Sequence, residues 1–198
     1  MIKFEDMINN IILADSYKLI KHIPDNSIDL VIIDPPYNIK NTNGGIKSGL
    51  GRSFRHMNNQ LKEKRLTESI NTIILKELVR VMKKINIYIW CNNIQIPMYL
   101  DYFVKKENCK FDIIIWNKTN AVPLYNNKYL TDKEYCLYFR KNSYCNPVNY
   151  ESAKTVYQIP ININDKNKYR HPTIKPLKII KNLINNSTLG GGISVRLF

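Results

Sequence analysis

The chain has 198 residues, of which 44% are hydrophobic, so it is long enough to bury the core of one domain. Lysine and arginine total 30 against 16 aspartates and glutamates, which gives a formal net charge of +14. This excess favours a polyanionic partner, of which nucleic acid is the commonest. Because the sequence is also rich in Ile, Asn, Lys and Tyr, as AT-rich coding sequence is, the charge alone leaves that partner open.

The cysteines and the hydropathy pattern argue against two other classes of protein. No pair among Cys91, Cys109, Cys136 and Cys145 has C-x-x-C spacing, and no histidine lies near enough in sequence to complete a zinc pattern. We therefore expect reduced cysteines and no bound metal. Acidic residues near the start of the sequence and the lack of a long apolar run predict no signal peptide, no transmembrane span and a cytoplasmic location.

Short apolar runs alternate with helical patterns along the chain. The predicted strands are residues 11–14, 28–33, 85–90, 111–116 and 135–140. The predicted helices are residues 16–22, 66–83, 97–106 and 176–184. Glycine-rich residues 38–60 are predicted to form a loop, and polar residues 141–170 an irregular region. Strands that alternate with helices predict an α/β domain with a parallel sheet.

The tetrapeptide Asp34-Pro35-Pro36-Tyr37 follows directly after the second predicted strand. Ligands of open α/β sheets bind at the carboxyl ends of strands, and two prolines cannot extend a ladder, so they fix a rigid turn there. This turn offers the Asp34 carboxylate, the Pro35 carbonyl and the Tyr37 ring. Two acceptors beside a stacking ring suit an exocyclic amino group on a planar base. The same residues could also be a proline turn that only closes a strand.

Further segments accompany this turn in a recognisable order. They are Asp15-Ser16-Tyr17, residues 23–30, Asp34-Pro35-Pro36-Tyr37-Asn38, residues 115–118 with Pro123, residues 129–135, and His171-Pro172-Thr173-Ile174-Lys175-Pro176-Leu177. Together they resemble the beta-class DNA amino-methyltransferases of bacterial restriction–modification systems, over roughly residues 11–189. The resemblance implies a Rossmann-like, S-adenosylmethionine-dependent methyltransferase fold with a mixed sheet, in a single domain over residues 1–198.

The resemblance also implies roles for particular residues. A target adenine would flip out of the duplex and stack on Tyr37, while Asp34 and the Pro35 carbonyl accept hydrogen bonds from its N6 amino group. The catalytic residues implied are Asp34, Pro35, Pro36 and Tyr37, with no metal. S-adenosylmethionine would be the methyl donor. The residues implied to bind it are Asp15, Asp34, His171, Thr173 and Lys175.

Double-stranded DNA is the partner that the resemblance implies, and two basic regions are predicted to contact it. The first is the loop 38–62, with Lys47, Arg52 and Arg55. The second is the irregular region 117–170, with Lys118, Lys128 and Arg140. Arginine and lysine neutralise phosphates, although a single basic residue is more often a solvated surface charge.

The family pattern departs from this sequence at its last residues. In the beta class, a cofactor loop Asp-x-Phe-x-Gly-x-Gly follows the His-Pro-Thr-x-Lys-Pro segment. Here Arg196 stands where that aspartate is expected, and Phe198 is the last residue. We therefore expect an incomplete domain that binds the cofactor weakly, whose strand 28–33 keeps an unpaired edge and an uncovered apolar face. Whether a frameshift or a split gene explains this stays open, as does reading residues 190–192 as a degenerate phosphate-type loop.

Three functions remain in competition after these observations. The first is adenine-N6 methylation of DNA, by an active or an impaired enzyme. The second is a non-catalytic DNA-binding fragment, or a subunit that needs a second polypeptide or a homodimer partner. The third is cytosine-N4 methylation, in whose enzymes serine usually replaces the first aspartate of the tetrapeptide. Asp34 favours adenine among the two bases.

Overall fold

The structure is a computed structural model that describes residues 3–37, 70–123, 125, 127–169 and 173–197. The predicted loop 38–60 lies outside these ranges, as do Lys47, Arg52, Arg55 and His171. The strands are β1 (Leu30–Ile33), β2 (Asn86–Cys91), β3 (Lys110–Asn117), β4 (Lys133–Arg140), β5 (Val156–Gln158) and β6 (Ser194–Leu197). The α-helices are α1 (Ser16–Leu19), α2 (Ile73–Val81), α3 (Ile96–Leu100), α4 (Ile163–Tyr169) and α5 (Leu177–Ser187). Short 3₁₀ turns span Glu5–Met7 and Ile20–His22, and a π-helical turn over Asp101–Lys106 continues α3.

The strands form one mixed sheet in the order β5-β3-β4-β2-β1-β6. β1 is parallel to both β2 and β6, and β3 is parallel to β5. β4 runs antiparallel to β2 and β3, so the sheet is mixed, as the resemblance implies, and not wholly parallel. In this register Cys91 lies opposite Tyr135, and Trp116 lies opposite Glu134. The carboxyl ends of β1, β2 and β3 therefore share one edge with the amino end of β4.

Helices cover both faces of the sheet, and the two longest, α2 and α5, each bury one apolar stripe. In α2 the buried residues are Ile74, Leu75, Leu78 and Val81, which recur at helical spacing. They pack with Val31 and Ile33 on one face of β1. Ile179, Ile180 and Leu183 of α5 pack with Leu30 and Ile32 on the opposite face. This three-layer arrangement confirms the predicted Rossmann-like fold class.

Two predictions of secondary structure are wrong. Residues 11–14 form no strand, and Ile11 and Leu13 are fully exposed, because no neighbouring strand pairs with this short apolar run. Residues 141–170 are not wholly irregular, because they contain β5 and α4. Both elements escape a search for apolar periodicity, since neither buries a single residue fully.

The expectation that strand 28–33 keeps an unpaired edge and an uncovered face is also wrong. β6 pairs with β1 along its whole length, from Leu30 opposite Ser194 to Ile33 opposite Leu197. No residue of β1 is more than 4% exposed. The three glycines 190–192 precede the amino end of β6, where the Ile193 amide donates to Asp29. They lie at the sheet edge opposite Asp34, so they do not form a loop beside the tetrapeptide.

Two kinds of feature are absent from the described ranges. None of the helices there is long and apolar enough to cross a membrane. No group of three or more His, Cys, Asp and Glu side chains in the same ranges is arranged to hold a metal ion. All four cysteines are free thiols.

Candidate active site

The Asp-Pro-Pro-Tyr turn, residues 34–37, leaves the carboxyl end of β1 and is anchored by the turn that follows β2. The Gln95 side chain donates from Nε2 to the Pro36 carbonyl at 3.1 Å. Gln95 is itself 3% exposed, and its backbone N–H donates to Asn92 Oδ1 at 3.1 Å. Pro35 is buried, and Pro36 has no backbone N–H that could join the hydrogen-bond ladder of the sheet. The Gln95 amide therefore holds the turn through the Pro36 carbonyl, outside that ladder.

A buried lysine joins the turn to the segment before α5. Lys175 Nζ lies 2.8 Å from Asp34 Oδ2 and 3.2 Å from Glu134 Oε2. Its side chain is only 2% exposed. A buried ammonium is strongly unfavourable unless it is paired and hydrogen-bonded, so the two carboxylates are what permits Lys175 to occupy this position.

Glu134 is the centre of this cluster. Its Oε1 lies 2.6 Å from Lys118 Nζ, while its Oε2 accepts from the Tyr37 hydroxyl at 3.3 Å as well as from Lys175. The Lys175 ammonium also lies 5.2 Å from the centre of the Tyr37 ring and 5.4 Å from that of Trp90, within cation–π range. We call Asp34, Tyr37, Lys118, Glu134 and Lys175 the site cluster.

The site cluster holds its charges in mutually stabilised forms. Burial acts to raise the pKa of Glu134, but Lys175 and Lys118 outweigh it and lower that pKa. Burial acts to lower the pKa of Lys175, but Glu134 and Asp34 outweigh it and raise that pKa. Burial, with Glu134 and Asp34 in support, raises the pKa of Tyr37 well above its ordinary value. At neutral pH the cluster therefore contains ionised Glu134 and Lys175 and a protonated phenol that can donate.

A third lysine adds positive charge beside the cluster. Lys166 lies on α4, and burial followed by Lys118 lowers its pKa, while Glu134 acts to raise it. The carboxylates of Asp34 and Glu134 offset the positive charges of Lys118 and Lys175. Lys166 therefore adds a positive charge in excess of these two carboxylates. This part of the sheet edge therefore suits an anionic group.

The structure brings together most, but not all, of the residues predicted from the sequence. The turn 34–37 and Lys175 meet in the site cluster, and Thr173 lies two residues before Lys175, partly buried. Asp15 lies at the start of α1, where its side chain accepts from the Tyr17 backbone at 2.9 Å. It therefore acts locally as a helix cap, and its predicted contact with the cofactor stays a prediction.

The three described residues predicted to contact DNA have different positions. Lys128 is exposed, in the segment that precedes β4 in the sequence. Lys118 is ion-paired with Glu134 inside the site cluster, so its charge is largely neutralised there. Arg140 ends β4 opposite Asn86 and Lys110, at the edge of the sheet away from Asp34, and the structure does not bring it to the site.

Two residues of the site had no role in the sequence-based prediction. Glu134 belongs to the segment 129–135 that carries part of the resemblance, but only the antiparallel pairing of β4 places it opposite Trp116 and near Asp34. Gln95 gives no signal in the sequence, since its contact with Pro36 depends on how β2 ends.

The fold and the site place this chain among α/β proteins that bind ligands at the carboxyl edge of the sheet, and comparison identifies the family. The model of the N6/N4 methyltransferase family, described as DNA methylase, matches residues 28–195. The chain therefore belongs to this DNA methylase family. The match confirms the predicted resemblance, and the family comprises S-adenosylmethionine-dependent enzymes that modify either adenine N6 or cytosine N4.

Individual relatives agree with the family. The chain is 27% identical over 196 residues to the type II methyltransferase M2.MboI of Moraxella bovis. The matched region covers 90% of this chain and 71% of that protein. It is 28% identical over 166 residues to the type II methyltransferase M.HinfI of Haemophilus influenzae, which covers 77% of this chain and 44% of that protein.

Solved structures share the fold. The M1.HpyAVI–SAM complex matches with a TM-score of 0.60 at 20% identity, over 93% of this chain and 79% of that one. The cytosine-N4-specific PvuII DNA methyltransferase matches with a TM-score of 0.64 at 16% identity, over 94% of this chain and 72% of that one. At these identities the likeness concerns the fold of the sheet and helices.

Proposed function

We propose that this chain transfers a methyl group from S-adenosylmethionine to N6 of adenine in duplex DNA. The observation that supports it most is the pairing of Asp34 with buried Lys175 directly beside the Tyr37 ring, at the carboxyl end of β1. This places an ionised acceptor and an aromatic face where an α/β sheet binds ligands. The amino group of a flipped base needs both.

The Asp34 carboxylate is anchored at one of its oxygens. Its Oδ2 accepts from Lys175, and Oδ1 would accept one N6–H of the adenine. The Pro35 carbonyl would accept the other N6–H, and Tyr37 would stack on the ring. Two acceptors on the amino hydrogens turn the nitrogen lone pair toward the incoming methyl group. The carboxylate also stabilises the positive charge that develops on N6 as the new bond forms.

The residues at this edge fit the charges of the cofactor. The carboxylate of Asp34 suits the positively charged sulfonium and amino groups of S-adenosylmethionine, and the ammonium of Lys166 suits its carboxylate. We propose that Asp34 and Thr173 hold it, together with His171 and Asp15. Lys175 acts instead by holding Asp34, because its ammonium is already engaged by two carboxylates. When bound, the cofactor supplies an electrophilic methyl group.

Asp34 is also the reason to propose adenine and not cytosine. A serine hydroxyl in its place would carry no charge and would leave Lys175 paired with Glu134 alone. Asp34, at the first position of the turn, is thus the closer of the two carboxylates that pair with Lys175.

The base and the recognition sequence can be tested together in cells. The full chain is expressed in a bacterial strain that lacks DNA methyltransferases, and its genome is sequenced by a single-molecule method that detects modified bases. We expect N6-methyladenine at one short sequence, absent in cells that express Asp34→Ala. N4-methylcytosine, or a genome without modified bases, would contradict the proposal.

DNA binding itself should depend steeply on salt. If the chain neutralises about four phosphates, its association constant should fall roughly a hundredfold between about 50 and 200 mM salt. Lys128→Gln should reduce the slope of log K against log salt by about 1, because it removes one phosphate contact. Arg140→Gln is the matched control and should leave the slope unchanged, since Arg140 lies at the opposite edge of the sheet. A gel-shift series at increasing salt measures the slope for the parent chain and for both variants. An association constant that does not fall as salt rises would contradict a role for DNA.

A further inference from the structure

We propose that Glu134 is a positioning residue of the methyl transfer, which fixes Tyr37 directly and Asp34 through Lys175. This inference rests on the proposed function, because the two residues it positions are those that would hold the adenine. Three donors converge on the Glu134 carboxylate: Lys118 at 2.6 Å, Lys175 at 3.2 Å and the Tyr37 hydroxyl at 3.3 Å.

Glu134 is suited to this role by its position in the sheet. It lies near the amino end of β4, where the pairing of Trp116 with Glu134 fixes its backbone. Among the described residues, side chains from neighbouring elements hold the Asp-Pro-Pro-Tyr turn. Lys175 pairs with Asp34, Gln95 donates to the Pro36 carbonyl, and Glu134 accepts from the Tyr37 hydroxyl. Without Glu134, the Tyr37 hydroxyl would lose the acceptor that β4 provides at 3.3 Å.

An amide cannot replace this carboxylate. A glutamine at 134 has one acceptor oxygen and one NH₂ group, and the NH₂ group would face a donor wherever it is placed. The variant is nearly isosteric, yet it leaves either Lys118 without its carboxylate acceptor or Lys175 with Asp34 as its remaining acceptor. A displacement of about 1 Å in the groups that orient the substrate can reduce the rate about a hundredfold.

A purely structural role for Glu134 makes a different prediction. If Glu134 only balances the charge of Lys118, then Glu134→Gln combined with Lys118→Met restores that balance and should restore both stability and rate. If Glu134 positions Tyr37 and Lys175, the double variant should regain stability and remain slow. The surface variant Glu151→Gln is the matched control, because it neutralises a carboxylate that pairs with Lys154 and is 75% exposed.

The experiment measures melting temperature, kcat and KM for DNA in these variants of the full chain, with tritium-labelled S-adenosylmethionine and unmethylated bacterial DNA. Glu134→Gln and the double variant should both lose roughly tenfold to a hundredfold in kcat. KM for DNA should be unchanged, because phosphate contacts set it, and Glu151→Gln should match the parent. Full kcat in Glu134→Gln, or recovery of kcat in the double variant, would overturn the inference alone. A parent chain that transfers no label would overturn the proposed function, and this inference with it.

Discussion

Replacing Asp34 with alanine is expected to reduce the rate of methyl transfer by at least about a hundredfold, by analogy with the loss of one oxyanion-hole donor. The change removes the acceptor for one N6–H and the negative charge beside the developing positive nitrogen. It also deprives Lys175 of the closer of its two carboxylates, at 2.8 Å. Initial rates of label transfer to DNA at saturating cofactor measure the effect.

Asp29 provides the control for this substitution. It lies just before β1, at the other end of the strand from Asp34, and its carboxylate also pairs with a lysine, Lys83, at 2.9 Å. Asp29→Ala removes a paired aspartate from the same strand region without touching the site cluster, so the rate per folded molecule should be preserved. An Asp34→Ala protein that keeps the parental rate would show that Asp34 does not hold the amino group.

Replacing Lys175 with methionine is expected to lower the free energy of unfolding by about 3–5 kcal/mol, the usual consequence of removing one partner of a buried ion pair. The variant leaves Asp34 and Glu134 close together without the ammonium that separates them. Both carboxylate side chains are at most 15% exposed, so water replaces little of the lost interaction.

Urea denaturation of Lys83→Met, measured beside Lys175→Met, provides the comparison. Lys83 and Asp29 are much more exposed, so this variant should lose only about 0–1 kcal/mol. Equal midpoints and slopes for the two variants would mean that Lys175 is not a buried, structurally required ion-pair partner.

The sequence predicts the part of the site that is formed by consecutive residues. An apolar run that ends in Asp34-Pro35-Pro36-Tyr37 is enough to place a polar turn at the carboxyl end of a strand, and the structure has it there. The Asp34–Lys175 pair joins residues 141 positions apart, and Glu134 reaches them only because β4 reverses direction in the sheet. Such contacts follow from strand order, which residue periodicity does not encode.

The same limit explains the wrong predictions. Residues 11–14 have the apolar character of a strand, but strand formation depends on a partner, and this segment has none among the described elements. Residues 194–197 have little apolar character, with Ser194 and Arg196 exposed, yet they pair with β1 because Val195 and Leu197 pack into the core on the α2 side. In both cases the tertiary partner decides the outcome.

The most direct test of the central claim is the identity of the methylated nucleoside. The purified full chain is incubated with tritium-labelled S-adenosylmethionine and unmethylated duplex DNA, and the DNA is digested to nucleosides and separated by chromatography. We expect the label to elute with N6-methyldeoxyadenosine, and we expect Asp34→Ala to abolish this peak while Asp29→Ala retains it. Label that elutes with N4-methyldeoxycytidine, or a peak that Asp34→Ala leaves at its parental height, would contradict it.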